Sequence, residues 1–230
     1  VCINAPDIPA TALAVRAAYL GGAATVELCA DMHLDGLTPT LPCIDAARQA
    51  FGARPGLMVM IRPRAGAFCY STAELELMVA QIGWAATAGA DGVVLGVLRP
   101  SDSRIDLDAT ARLLATARGH GLITTMHRAF DATPDPDTTL ETVIDLGIDR
   151  ILTSGMPWGV KGTALDGVQS LARTLRRAQD RVEVVLAGSI SPANVGPLLS
   201  QLPLDAGRIS VHAYSGAQAG GQTTVEAVRA

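Results

Sequence analysis

The sequence predicts a (β/α)8 barrel, an α/β fold, and three observations carry that prediction. Eight apolar runs rich in β-branched residues alternate with Ala/Leu-rich stretches of helical periodicity. The runs start 24 to 34 residues apart, the length that a parallel crossover with its helix needs. Polar residues collect where the runs end, and the C-terminal ends of the strands are the functional face of such a barrel. An open doubly wound sheet is the alternative, but its GxGxxG signature is absent after the first run.

Composition agrees with a well-buried fold. Of 230 residues, 49% are hydrophobic and 17% charged, below the usual ~25% charged. The formal charge of -4 excludes a basic surface over the whole protein, so no nucleic-acid partner is expected. A local basic pocket remains compatible with it. No apolar run reaches ~18 residues, so no membrane partner is expected either. The four cysteines, Cys2, Cys29, Cys43 and Cys69, contain no CxxC pair. They make neither a disulfide scaffold nor a zinc module, and they fit a reducing, cytoplasmic setting. No signal peptide is visible, and because the chain starts at Val1 a short leader is expected to be missing.

The expected strands are Val1–Asn4, Thr25–Cys29, Leu57–Arg62, Asp91–Val97, Leu122–His127, Asp149–Thr153, Val182–Ala187 and Arg208–His212. Between them lie helix signals. Ser71 precedes Glu74 by three, as in a capping box. Asp135-Pro136 and Ser191-Pro192 each read as an N-cap followed by the first helical residue. Gly21, Gly89, Gly119 and Gly147 stand where helices should end. No linker or charge block divides the chain, so residues 1–230 are expected to form one barrel. The stretch from Tyr214 to Gln222 reads as loop. It leaves Thr223–Ala230 for a short or incomplete eighth helix, and residues are expected to be missing near this stretch.

Side chains alternate faces along a strand, which groups the rim residues. Glu27 and Cys29 share a face, as do Met58, Met60 and Arg62, then Thr125 and His127, then Ser210 and His212. A carboxylate between Val26 and Leu28 is costly to bury unpaired. Glu27 is therefore expected either as a ligand or base in a pocket, or as the buried partner of Arg62 on the next strand. Arg62-Pro63-Arg64 sets two guanidinium forks at the rim, suited to carboxylate or phosphate oxygens, or to internal pairs with Glu27 and Asp131. His127 and His212 end their strands, where a histidine moves protons, binds metal or holds a hydrogen bond. Asp131 follows His127 by four and either orients it or pairs with Arg128. Gly188-Ser189, opening toward Ser191-Pro192, could offer backbone N–H groups to a phosphate. The soft metal ligands near the strand ends are Cys29, Met60 and Cys69, with His33 four after Cys29. Buried cysteines and methionines are also ordinary core fillers.

At these residues the chain resembles a known family, that of the copper homeostasis protein CutC. The resemblance rests on Val26-Glu27-Leu28-Cys29-Ala30, Gly36-Leu37-Thr38-Pro39, Met60-Ile61-Arg62-Pro63-Arg64 with Phe68-Cys69-Tyr70-Ser71, His127-Arg128-Ala129-Phe130-Asp131 and Ile151-Leu152-Thr153-Ser154-Gly155. It implies a cytosolic (β/α)8 barrel, often a homodimer, with a part in copper homeostasis and Cu(I) as its ion. Among the family's cysteines, proposed as Cu(I) ligands, it singles out Cys29. Family members usually carry a Glu just before the first-strand cysteine, which the sequence, starting at Val1, does not show. The chain departs from the family in its Ala187-Gly188-Ser189-Ile190 turn and in Tyr214-Ser215 after His212. Two functions follow. One is a copper homeostasis protein binding Cu(I) through Cys29, Cys69 and Met60. The other is a barrel enzyme acting on a small phosphate- or carboxylate-bearing metabolite. There Arg62, Arg64, Arg128, Ser189 and His212 would hold the anion, and Glu27, His127 and Asp131 would carry the chemistry.

Overall fold

The computed structural model describes residues 1–230 and contains the eight expected parallel strands, each followed by a helix. In order these are β1 Cys2–Asn4, α1 Ile8–Gly21, β2 Val26–Cys29, α2 Leu41–Phe51, β3 Leu57–Met60, α3 Thr72–Thr87, β4 Gly92–Leu95 and α4 Leu107–Gly119. Then come β5 Ile123–Met126, α5 Pro136–Asp145, β6 Arg150–Thr153, α6 Val168–Ala178, β7 Glu183–Leu186, α7 Val195–Leu199, β8 Ile209–Val211 and α8 Val225–Arg229. The strands lie side by side in sequence order from β1 to β8. The outer strands β1 and β8 are not paired as a ladder. Across this seam the Cys2 N–H donates to the Ala213 carbonyl at 2.9 Å.

The alternation of side chains sorts the core. Outward residues such as Ile3, Leu28, Val59 and Leu95 pack under α1 to α4. Ile151, Val184 and Leu186 do the same beneath α5 and α6, against Leu140, Val143, Leu171 and Leu175. Inward residues form two smaller clusters. Cys2, Cys29, Met58, Met60 and Val94 meet on one side, and Leu152, Val185 and Ala187 on the other. The bottom of the interior is polar. Arg150 pairs with Glu183 at 3.2 Å, and the Ser210 hydroxyl donates to the same carboxylate.

Most of the helix signals act as read. Ser71 and Glu74 close a full capping box on α3, and the Asp135 side chain accepts from two backbone N–H groups of α5. The exception is Ser191-Pro192, which lies in a turn; α7 begins only at Val195 and lasts five residues. Gly196 and Pro197 occupy its middle, and both oppose helix propagation. The tail is more ordered than a loop. Gln218–Ala219 and Gln222–Thr223 form a two-stranded antiparallel hairpin, β9 and β10. Gly220 and Gly221 turn it with φ of 59° and 78°, a conformation open to glycine. The eighth helix is short, as expected, and Arg229 ties it to the Leu20 carbonyl of α1. No helix is long and apolar enough to cross a membrane.

Candidate functional site: a sulfur-floored cavity at the strand ends

A cavity of about 350 Å3 opens at the C-terminal ends of the strands. Its deep side is built by β1, β2 and β8. Cys2 on β1 pairs in register with Glu27 on β2, which carries Cys29 two residues on and on the same face. The seam brings His212, just past β8, against the same point. The Cys2 sulfur lies 3.9 Å from that of Cys29 and 3.7 Å from the Met32 thioether. Glu27 Oε2 is 3.8 Å from His212 Nδ1, and Glu27 Oε1 is 3.8 Å from the Cys29 sulfur. One ligand atom each from Cys2, Glu27 and His212 falls within 4.8 Å of the other two. Met32 reaches the cluster from the single helical turn Met32–Leu34 above β2. That turn is bracketed by Asp31 and Asp35, both with positive φ. Met60 lies in the same cluster and lines the cavity.

These groups set one another's protonation. The hydrogen bond with Cys29 brings the Cys2 thiol down to about 6, against the opposing effect of burial and with help from His212. Cys29 moves the other way, since it supplies the shared proton and is buried beside two negative groups. Burial alone would lower His212, but the Glu27 carboxylate and Cys2 outweigh it and raise the imidazole above its ordinary value. Near neutral pH the cluster therefore offers a thiolate, a thiol, a thioether and a carboxylate, with His212 beside them shifted toward its protonated form. Such a set can hold a soft cation.

The opposite wall carries the arginines and His127. Arg62 lines the cavity and is 2% exposed. It does not meet Glu27. The register pairs Glu27 with Met58, and Arg62 lies four residues further along, about 13 Å up the strand direction. Its guanidinium donates instead to the carbonyls of Leu34, Gly36 and Gly66, tying two loops over the rim. His127, 3% exposed, packs on Phe68 with ring centroids 4.8 Å apart. Its Nδ1 accepts from the Ala129 N–H at 3.1 Å, so the proton sits on Nε2. Burial, reinforced by the Arg62 charge, holds the imidazole at about 3. It is therefore a neutral donor near neutral pH, not a base. Arg128 also lines the cavity and is held by Asp131 and Ser154, each at 2.8 Å, with its guanidinium over Trp158. Ser189 lines it as well, with φ 53°, and its carbonyl accepts from Asn194. The turn it belongs to leads into a helix of only five residues.

Four of the residues singled out from the sequence stand outside the cavity, and one of them, His33, is exposed on the turn Met32–Leu34. Arg64 pairs with Glu74 at the start of α3 and donates to loop carbonyls, including that of Cys69. Cys69 packs half-buried against the core outside the strands. Asp131 is buried below the rim, where it accepts from Arg128, Thr153 and Ser154 and does not touch His127. Two sulfur residues of the cluster, Cys2 and Met32, were missed. Strand parity with Glu27 across a closed barrel would have found Cys2. Met32 lies in irregular chain, where no periodicity points inward.

The whole arrangement has relatives. The CutC family model matches residues 1–216. A CutC family protein of Sinorhizobium medicae is 40% identical over 205 residues, covering 89% of this chain and 77% of the relative. The human copper homeostasis protein cutC homolog is 38% identical over 179 residues, covering 78% and 62% respectively. A solved structure from Streptococcus agalactiae, described as a copper homeostasis protein CutC, superposes with a TM-score of 0.74 at 29% identity, covering 82% of this chain and 88% of that one. A deoxyribose phosphate aldolase from Aeropyrum pernix superposes at 0.64 with 17% identity and shares the fold alone. With most of its length matched, and with the motifs at β2, β3 and β5 intact, this chain belongs to the CutC family.

Proposed function

We propose that the protein binds Cu(I) in copper homeostasis, with Cys2 and Cys29 as thiolate ligands and Met32 as a thioether ligand. The observation that carries this reading is the convergence of three sulfurs from β1, β2 and the turn above β2 on one point of the cavity floor. A metal–thiolate bond of about 2.3 Å, the length seen at zinc, sets trigonal sulfurs roughly 4 Å apart. The separations here, 3.9 and 3.7 Å, suit three sulfurs sharing one small ion. Thiolate and thioether ligands favour Cu(I) over harder divalent ions. His212 and Glu27 border the sulfurs, so a nitrogen ligand is at hand and a carboxylate balances the charge. All four cysteines are free thiols, and the site works only while Cys2 and Cys29 stay reduced. That requirement favours the cytoplasm as its place of action.

The test is anaerobic titration of the reduced protein with Cu(I) against a chromophoric chelator. One equivalent is expected to bind. Cys2→Ser and Cys29→Ser should each weaken it by more than about 100-fold, above the cost of losing an outer-shell partner. Cys69→Ser should leave affinity unchanged, because Cys69 lies outside the cavity. Binding that ignores Cys2 and Cys29, or that needs Cys69, would refute the assignment.

A further inference from the structure

The sulfurs take up only the deep side of the cavity. Across from them, Arg62 is a fully buried cation that forms no ion pair. Three of its N–H groups reach carbonyls, but the Nε–H has no partner. His127 Nε2–H is also buried without a partner. Both side chains line the cavity and both pack against the Phe68 ring, Arg62 with its guanidinium 5.2 Å from the ring centre. A buried charge without a counterion, next to a second unmade donor, costs far more than an ordinary polar group. No carboxylate pairs with it, and the hydroxyl beside it, that of Tyr70, is buried and neutral. Arg128 is matched by Asp131, Arg64 by Glu74 and Arg150 by Glu183.

We infer that this wall is a binding site for a small organic monocarboxylate, whose oxygens accept from Arg62 Nε–H and His127 Nε2–H once the side chains that cover these two atoms move aside. Charge selects that class. The wall holds one uncompensated positive charge and a neutral donor, which match one negative charge spread over two oxygens. A phosphate dianion would bring one charge too many. Phe68 and Trp158, with ring centroids 5.1 Å apart, give the rest of the ligand an apolar and aromatic wall. Arg128 lies over Trp158 at the cavity edge and further favours an anion there. The cavity volume of about 350 Å3 suits a small metabolite and exceeds what one metal ion needs. Because the donors lie just past the ends of β3 and β5, this inference does not depend on copper binding at β1 and β2.

The test uses metal-free, reduced protein and benzoate as the probe, with pyruvate and inorganic phosphate in parallel. Trp84 and Trp158 are the two tryptophans, and Trp84 is on the α3 surface. A Trp84→Phe background therefore makes fluorescence report on the cavity. Benzoate is expected to change Trp158 emission saturably. His127→Phe should weaken binding about tenfold or more, the loss of one hydrogen bond to a charged acceptor. His127→Gln, which keeps an N–H donor, should restore it to within about threefold. In the protein with His127 intact, the Nε2–H proton resonance should move on benzoate addition, which tests the contact without depending on a variant that folds. The inference is overturned if neither carboxylate gives saturable binding, if inorganic phosphate binds more tightly than both, or if the His127 resonance does not move.

Discussion

Cys2 and His127 show how burial is turned to opposite ends by the neighbours each side chain has. Both are almost fully buried at the barrel interior. Cys2 has Cys29 and His212 to stabilise its thiolate, so its titration falls to about 6. Thiolate absorbance at the ultraviolet edge should therefore rise with a midpoint near 6 in the metal-free protein, and Cys2→Ser should remove that step. A single transition near the ordinary thiol value would contradict the reading. His127 has a cation nearby and no carboxylate, so it is held neutral down to about 3. The linkage has a definite sign. The unfolded chain takes up a proton on this residue below about 6.5 while the folded chain does not. The stability tied to neutral His127 is thus present above that pH and is lost as pH falls from about 6.5 toward 3. His127→Gln should flatten this acid limb of the stability profile by a few kcal/mol, as measured by denaturant unfolding at several pH values. An unchanged acid limb would mean that the imidazole is not held neutral.

At the scale of elements, local signals with a mechanism were the reliable ones. The capping box at Ser71 formed as read, and Ser71→Ala should cost about 1 kcal/mol in chemical denaturation. A neutral result would show that the ion pair of Glu74 with Arg64 holds the helix start unaided. The eight strands were legible because their apolar runs are bounded by glycines and polar rims, and strand parity placed Glu27, Cys29, Met60, His127 and His212 inside. Other features were hidden for physical reasons. The start of α7 was misjudged because a proline after a serine marks a turn as readily as a helix start. Of the alternatives for Arg62, the pair with Glu27 did not form, because adjacency of strands says nothing of height along them. The register sets Arg62 well above Glu27, within reach of loop carbonyls instead. The role of Met32 depends on the path of a connection folded over the barrel mouth, and no sequence period encodes such a path.

For the whole molecule the decisive feature is where the barrel is weakest. Seven neighbouring strand pairs are laddered, but β1 and β8 are joined without a ladder, and the Cys2 N–H reaching the Ala213 carbonyl spans them. The proposed sulfur ligands stand on one side of this seam and the nitrogen donor that borders them, His212, on the other. Cys2 and Cys29 belong to β1 and β2, and His212 follows β8. An ion held by both sides would act as a staple across the least protected part of the sheet. Cu(I) bound to the native state alone would stabilise it by an amount that grows with the ratio of free ion to Kd, about 4 kcal/mol at a thousandfold excess over Kd. The staple also gives that gain a location. Hydrogen exchange of the Cys2 amide, which spans the seam, should slow on Cu(I) addition more than that of Val93 and Val94 in the laddered β4, because seam opening is a local event. Cys2→Ser should abolish both the rise in Tm and the local protection. His212→Ala should keep much of the Tm gain from the sulfurs but lose the selective protection of the seam. Equal protection of every strand in the unsubstituted protein would show that the ion stabilises the barrel as a whole and does not bridge its edges.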